Sequence, residues 1–443
     1  MRHTSDSSPG EQDAVLHWLE QDHGLTFLTG RAGTGKSTLL RRFAETTAKE
    51  HVLLAPTGIA AIHIGGSTIH SFFKLPSRFI GPEDEKIKRF GSQTQTARII
   101  RQMETLLIDE VSMVRADLLD AIDRSLRLNT GSEAPFGGKQ VVLVGDMLQL
   151  PPVVTQNERP LVQRFYDSPY FFSSRVMQEI HWTGMELSTI HRQSDPDFIA
   201  LLDAFRTGEL GPEHLERINE RYLSEEQKSA APREEGFRVN LCPTNSLASV
   251  INQTELSALS AYPRTYPATV QGEFPEKIFP TLGELTLKPG AQVIFIRNDP
   301  YRRWVNGSMG RVVETEPKRV HVQTENGLVH EVEPVSWDHL RYEFNHQSES
   351  IRQKKLGSFT QFPLKLAWAI TIHKSQGLTF ERIRLHLGKG IFAPGQLYVA
   401  LSRCRSLEGI ELSRSIDWKD LRTDPQVTEF LERVHSRSLR KWK

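Results

Sequence analysis

The sequence predicts an α/β protein with two parallel-sheet domains and a small antiparallel module inserted in the second. Three observations carry this expectation. Short apolar runs alternate with helix-patterned segments through most of the chain, as in parallel sheets covered on both faces. A glycine-rich phosphate-binding loop, GRAGTGKS at Gly30–Ser37, joins the first such run to a helix. After about residue 306 the texture changes to short strand-like runs separated by Pro or Asn-Gly turns.

Taken in order, Ala14, Val15, Leu16, Trp18 and Leu19 fit a short helix after the Pro9-Gly10 turn. Residues Met1–Gly10 are polar and expected to be loose. Leu25–Thr29 reads as a strand running into the loop, and Ser37–Lys49 as a helix burying Leu39, Leu40 and Phe43. His51–Ala55, Thr105–Ile108 and Gln140–Val144 are further buried strands, with a helix over Asp117–Arg127. In the second half, Pro196–Thr207 is a helix, Phe237–Leu241 a strand, Asn245–Leu256 a helix and Gln292–Ile296 a strand. Gly310–Val313, Arg319–Thr324 and Leu328–Val332 form the antiparallel module. Arg341–Gly357 is polar and charged and reads as a mobile loop. The α/β pattern returns at Leu364–Lys374, Arg382–Leu387 and Pro394–Ser402.

Composition narrows the function classes. Of 443 residues, 55 are basic and 54 acidic, so a histone-like basic surface is excluded, though a local basic groove is not. Two cysteines, Cys242 and Cys404, cannot make a four-cysteine zinc or iron–sulfur site. No apolar run approaches the ~18 residues of a membrane span, and the N-terminus has no hydrophobic stretch for a signal peptide. The expectation is a soluble intracellular protein.

The loop GxxxxGK[ST] names a chemistry. Its glycines let the chain fold tightly, so that N–H groups and a helix N-terminus point at phosphate oxygens. Gly30, Gly33, Thr34, Gly35, Lys36, Ser37 and Thr38 are the candidate nucleotide contacts, with Lys36 on the β/γ-phosphates and the Ser37 hydroxyl on Mg²⁺. The apolar run Leu106–Ile108 ends in Asp109-Glu110, two acids at the carboxyl edge of a sheet. Asp109 is the expected second metal ligand. Glu110 is the expected group that orients or deprotonates the attacking water, which points to a hydrolase. A third strand ends in Gly145-Asp146, followed by Gln149. Gln149 is a candidate γ-phosphate sensor; the other reading is a loop closed by Pro151 and Pro152.

These motifs form a set. APTGIAA at Ala55–Ala61, GSTIHSFF at Gly66–Phe73, LLIDEVSM at Leu106–Met113, FGGKQVVLVGDMLQLPPV at Phe136–Val153, IHRQ at Ile190–Gln193, LCPTN at Leu241–Asn245, NGSMG at Asn306–Gly310, AITIHKSQGLTF at Ala369–Phe380 and QLYVALSRC at Gln396–Cys404 occur in one order. In that order, over nearly the whole chain, the sequence resembles superfamily-one DNA helicases of the petite-integration-frequency (PIF) and RecD-like group, in the form of a bare bacterial PIF-type core. The resemblance implies two RecA-like domains: 1–185, carrying a wedge insertion at about 74–95, and 186–305 with 363–443. It also implies that the inserted module, 306–362, is SH3-like.

Further roles come from the resemblance alone. It implies that Gln12 reads the adenine edge, and that Arg192 and Arg403 are the arginines that reach the γ-phosphate. Such cations are worth ~10³–10⁵ in rate. Gln376 and Gly377 would link nucleotide to DNA. The implied DNA contacts are Thr57, Gly58, Ser67, Thr68, His70 and Phe72 in the first domain, and Thr244, Asn245, Asn306, Thr371, His373 and Lys374 in the second. Hydroxyls and bare backbone at helix N-termini suit phosphates, and aromatic faces suit bases. One of Phe72 and Phe73 is expected to be core; His373 and Lys374 read equally as a solvated helix end. Pro76, Arg78 and Phe79 would belong to the strand-separating wedge. Trp304 and Trp337 read as core of the small module, and Arg302, Arg303, Lys318 and Arg319 as solvated surface or DNA flank.

The resulting expectation is an ATP- and Mg²⁺-dependent helicase. It would translocate 5′ to 3′ on single-stranded DNA and unwind forked duplexes or G-quadruplexes, as a cytoplasmic, nucleoid-associated monomer that assembles further on DNA. Rival readings are a translocase that unwinds poorly, an NTP-gated binder without turnover, and a small-molecule kinase.

Overall fold

The computed structural model describes residues 10–193, 195–222, 236–345, 350–387 and 393–437. Of the expected loose segment Met1–Gly10, residues 1–9 lie outside them. By contacts the chain divides into two compact units. One comprises Met1–His191, Leu340–Lys354 and Asp424–Lys443, the other Arg192–His339 and Lys355–Thr423.

The first unit is built on a six-stranded sheet. Its strands are β1 (Leu25–Gly30), β2 (His51–Ala55), β3 (Ser67–Thr68), β4 (Thr105–Ile108), β5 (Gln140–Val144) and β6 (Trp182–Leu187), in spatial order β3-β2-β4-β5-β1-β6. Every pairing is parallel. Apart from the short β3, the strands are buried along most of their length because both faces are covered. Alternation sends Phe27, Val52, Leu54, Leu106, Ile108, Val141 and Leu143 to one core, and Leu28, Leu53, Leu107, Val142 and Val144 to the other. The strand order matters for chemistry. It makes β4, β5 and β1 immediate neighbours, so the Asp-Glu, Gly-Asp and glycine-loop segments leave the sheet side by side.

Helix α1 (Glu11–Gln21) packs on the second of these cores through Val15 and Leu19. Helix α2 (Lys36–Thr46) buries Leu39, Leu40 and Phe43, as expected. Helices α3 (Gly58–Ile64), α4 (Ile69–Phe73) and α5 (Gln95–Gln102) follow, and α6 (Ala116–Thr130) is the long helix before β5. The segment before α5 has no regular structure until residue 95 but is pinned to α6. The Ile80 amide donates to Asp117, the Phe90 amide to Asn129, and Ile80 and Ile87 are buried.

The helix Pro425–Arg437 closes the first unit against β6. Its Phe430 stacks on Phe172 at 4.4 Å, and Val434 occupies the space above Gly184, where a Cβ would come within 2.9 Å of it. The expected assignment of all of 363–443 to the second domain is corrected here: the last stretch returns to the first sheet.

The second unit holds a four-stranded parallel sheet in the order Ala369–Thr371, Val239–Cys242, Ile383–Leu385, Ile410–Leu412. Beside it in the same unit is a five-stranded antiparallel sheet. Its order is Val329–Val332, Val320–Thr324, Met309–Thr315, Gln292–Phe295, Leu364–Leu366. The expected module boundaries therefore move outward. Gln292–Phe295 is buried at all four positions, so its pattern matches a parallel core strand, yet it pairs antiparallel on both sides. Trp304 stacks on Phe295 at 4.4 Å within the core of this sheet, as expected; Trp337 is buried too, but its ring lies by Phe359 and not in that core.

A second correction concerns the expected mobile loop at 341–357. Val335–Asn345 and Ser350–Gln361 are strands of a three-stranded sheet with Thr269–Gly272; residues 346–349 lie outside the described set. Strand pairing is made by the main chain and needs no apolar alternation. Among the described residues no helix is long and apolar enough to cross a membrane.

Candidate functional site

The glycine loop leaves β1 and enters α2 at Gly35, the helix N-cap, with φ 84°. A Cβ there would lie 2.8 Å from Gln12 Nε2, and at Gly30 a Cβ would meet the Leu187 carbonyl oxygen at 2.7 Å. Both positions therefore require glycine, and Gln12 lies against the loop as expected. Lys36 Nζ donates to the carbonyls of Gly30 and Arg31, at 2.7 and 3.0 Å. Thr34 is buried, with its hydroxyl on the Arg31 carbonyl. Ser37 and Thr38 occupy the first turn of α2, where free helix amides point outward.

Asp109 is buried at the end of β4, and the Ser37 hydroxyl hydrogen-bonds its carboxylate. Burial pushes this carboxyl above its ordinary range, while Ser37, the Glu110 amide and Lys36 pull it back. His63 of α3 is close enough for its charge to bear on Asp109, and burial together with Arg41 holds this imidazole below its ordinary pKa. His63 was missed in the sequence because nothing in α3 marks it.

Glu110 has φ 52° and ψ 42°, a left-handed conformation uncommon for a non-glycine residue. Its amide donates to Asp109 Oδ1 at 2.9 Å. The strand end thus turns sharply, and strained backbone of this kind gathers at functional sites. From β5, Gln149 Nε2 donates to Asp146 Oδ2 at 3.1 Å, both buried. The first unit therefore brings Gln12, Lys36, Ser37, Asp109, Glu110 and Gln149 to the carboxyl edge of adjacent strands. Hard oxygen donors beside a lysine and a helix N-terminus suit a polyphosphate and a divalent cation.

Three motif segments of the second unit meet around its arginines. Arg192 donates to the carbonyls of Ser402 and Gly377, at 3.4 and 3.3 Å. Burial lowers the pKa of this guanidinium. Arg403 is 1% exposed. Its Nε donates to Val399 O at 2.8 Å, Nη2 to Ser402 Oγ at 2.7 Å, and Nη1 to Ser375 O and Leu378 O at 3.4 Å. Gln193 Nε2 donates to Ser402 O and Cys404 O, at 3.1 Å each. Gln376 follows the 3₁₀ turn His373–Ser375, and Gly377 is exposed. Gln193 was overlooked although it sits in IHRQ, because only its neighbour carries charge.

The expected nucleic-acid contacts divide in two. Thr57 caps α3, Thr68 caps α4 and Thr244 caps the helix Asn245–Ala258, each through its hydroxyl. Gly58 and Asn245 open two of these helices. Ser67 donates to Leu340 O, and His70 is partly exposed. The Asn306 amide donates to Asn298 Oδ1. Phe72 is a correction: both it and Phe73 are core. Phe72 packs on Phe73 at 4.8 Å and on Tyr342 at 6.0 Å, so its ring is not offered to a base. Thr371 is likewise buried and accepts the Lys374 amide. His373 and Lys374 do not end an α-helix; they form a 3₁₀ turn after a strand, with His373 half-buried and Lys374 exposed.

Residues 10–214 match the family described as PIF1-like helicase. The chain is 34% identical to the ATP-dependent DNA helicase Pif1 of Bdellovibrio bacteriovorus, over 97% of this chain and 92% of that protein. It is 35% identical to the ATP-dependent DNA helicase PIF1 of Danio rerio, covering 97% of this chain but 64% of the relative, so it spans just under two thirds of that protein. Crystal structures of Bacteroides sp Pif1 are 36% identical over 98% of both chains, with TM-scores of 0.88 for the ADP-AlF4 complex and 0.69 for the form bound to single-stranded DNA.

Proposed function

The chain belongs to the PIF1-like helicase family, and from that membership we propose that it is an ATP- and Mg²⁺-dependent DNA helicase. It moves 5′ to 3′ along single-stranded DNA and opens forked or duplex DNA. The observation that carries the reading is the cluster at the edge of β1, β4 and β5, where the Ser37 hydroxyl meets the Asp109 carboxylate and Glu110 is held in a strained turn beside it.

In this reading the loop amides and Lys36 hold the triphosphate, and Gln12 contacts the adenine. Ser37 and Asp109 are an oxygen donor pair that fits Mg²⁺, which when bound neutralises charge on the β- and γ-phosphates. Glu110 accepts the proton of the attacking water, and Gln149 monitors the γ-phosphate. Arg192 and Arg403 offset the charge that develops on the transferred phosphoryl group. Hydroxyls and amides at the capped helix starts, Thr57-Gly58, Thr68 and Thr244-Asn245, take DNA phosphates, with Ser67, His70, Asn306, His373 and Lys374. Bacteroides Pif1 bound to single-stranded DNA supports the substrate. A structure described as two coordinating Pif1 helicases at forked double-stranded DNA supports assembly of more than one copy on DNA.

The test is ATP hydrolysis with and without single-stranded DNA, followed by unwinding of duplexes with 5′ or 3′ tails. The expected result is DNA-stimulated hydrolysis and opening of the 5′-tailed substrate, abolished in Lys36→Ala and Glu110→Gln. Unwinding by Lys36→Ala, or preference for the 3′ tail, overturns the reading.

A further inference from the structure

Lys365 lies in the edge strand Leu364–Leu366 of the antiparallel sheet, opposite Ile294, which in turn faces Met309 on the next strand. Directly opposed residues of an antiparallel pair share a face. Lys365 therefore shares the face of Ile294 and Met309, both 2% exposed. The alternate residues Val293, Phe295 and Leu364 point into the core that holds Trp304. A lysine on this face is half-buried, and its stem is fixed beside apolar neighbours.

Its surroundings offer no compensation. Among the described residues no carboxylate bears on its ammonium; the charge that does is Lys374, another cation. Burial and Lys374 together pull the Lys365 pKa down to about 8. Two cations kept together at partial desolvation are costly unless an anion is brought to them.

Two segments proposed above to contact DNA approach one another beside this row. Met309 of the Asn306–Gly310 motif shares its row, and a Cβ on Gly307 would touch Leu378, just beyond His373-Lys374, at 3.5 Å. We propose that Lys365 and Lys374 form a subsite for a backbone phosphate of single-stranded nucleic acid, Lys365 being its fixed member. The proposal rests on the helicase reading and adds Lys365 to it. A phosphodiester matches the position because a lysine acts as a point charge and makes no demand on the base. Lys365 fixes the strand and does not take part in hydrolysis.

The test is binding of a fluorescent oligothymidine to the full chain across a salt series. Lys365→Met keeps the stem and removes the charge. Its slope of log affinity against log salt is expected to be shallower by about 0.7, the share of one phosphate contact on a single strand. Lys365→Arg keeps the wild-type slope. ATP affinity and DNA-free hydrolysis stay unchanged, which separates a DNA phosphate from a nucleotide phosphate. In the wild-type protein, oligothymidine is expected to shield Lys365 from acetylation by N-hydroxysuccinimide acetate, read by peptide mass spectrometry, and ATP alone is not. This second readout needs no variant to fold. A wild-type slope in Lys365→Met, or undiminished acetylation at saturating oligothymidine, overturns the subsite alone. Failure of the wild-type protein to bind oligothymidine overturns the helicase reading and the subsite with it.

Discussion

Gln193 straddles Arg403: one side-chain nitrogen donates to the main-chain oxygens on either side of it, Ser402 and Cys404, at 3.1 Å each. The amide is buried; it is a donor to the Cys404 carbonyl and shares the Ser402 carbonyl with Arg192. Gln193→Met keeps the volume and removes the donor. It is expected to cost about 1–3 kcal/mol of stability and to lower kcat for DNA-stimulated hydrolysis more than it raises KM for ATP. Thermal unfolding and steady-state kinetics check both. A lower Tm with unchanged kcat makes Gln193 a purely structural clip.

The two arginines are expected to separate by stability. Arg192 is partly exposed and makes two long bonds to carbonyls, so Arg192→Ala leaves the unfolding midpoint nearly unchanged. Its hydrolysis rate is expected to fall roughly 10³-fold or more. Arg403 is fully enclosed and ties Val399, Ser402, Ser375 and Leu378 together. Arg403→Ala removes the guanidinium donor from Leu378 O and Ser402 Oγ and one of two donors from Val399 O and Ser375 O, and is expected to lose both activity and roughly 2–4 kcal/mol of stability. Denaturant titration of the two variants side by side decides the matter. Equal stability would mean that the Arg403 network is dispensable to the fold.

Much of the candidate site's position was legible because each motif is tied to a strand end. Lys36, Asp109 and Gln149 follow runs whose apolar pattern can be read locally. What joins them is the order β4-β5-β1, and no local pattern encodes which strands are neighbours. The illegible parts share this cause. Phe72 is core because Tyr342, from the hairpin strand Val335–Asn345, packs on it. The C-terminal helix returns to β6 because Gly184 leaves room for Val434. Lys365 gives no signal in a strand of three residues, and its character comes from Lys374 and Ile294.

Acid sensitivity should show itself at Glu158. Burial pushes its carboxyl up, but Arg115 at 2.8 Å and Thr155 outweigh it and bring the pKa from its ordinary 4.5 down to about 2. A carboxylate whose pKa is lower folded than unfolded stabilises the fold above its unfolded value. That contribution fades as pH falls through the folded one. Between pH 4.5 and 2 the wild-type protein is therefore expected to lose its margin over Glu158→Gln, and above pH 5 to keep it. Midpoints of thermal unfolding across that range test the sign. A margin constant from pH 6 to 3 would show that the Arg115 contact does not hold the carboxylate ionised.

The Gly35–Gln12 contact allows the nucleotide loop to be tested without touching a charged group. Gly35→Ala faces two separate penalties. Its φ of 84° is left-handed, which costs an alanine roughly 1–2 kcal/mol. The new methyl would also sit 2.8 Å from Gln12 Nε2 and must displace that side chain. Gln12→Ala removes the second penalty and leaves the first. By itself it is expected to weaken ATP more than GTP, because the lost contact is to the base and not to the phosphates. Gly35→Ala is expected to impair both nucleotides, through the loop as well as through Gln12. The double variant should then be less impaired in ATP affinity than the sum of the two single changes, since neighbours that share a contact are not additive. Nucleotide affinities of the four proteins complete the cycle. Strict additivity would mean that Gln12 is not displaced by a methyl at position 35, and equal losses for ATP and GTP in Gln12→Ala would mean that it does not read the base.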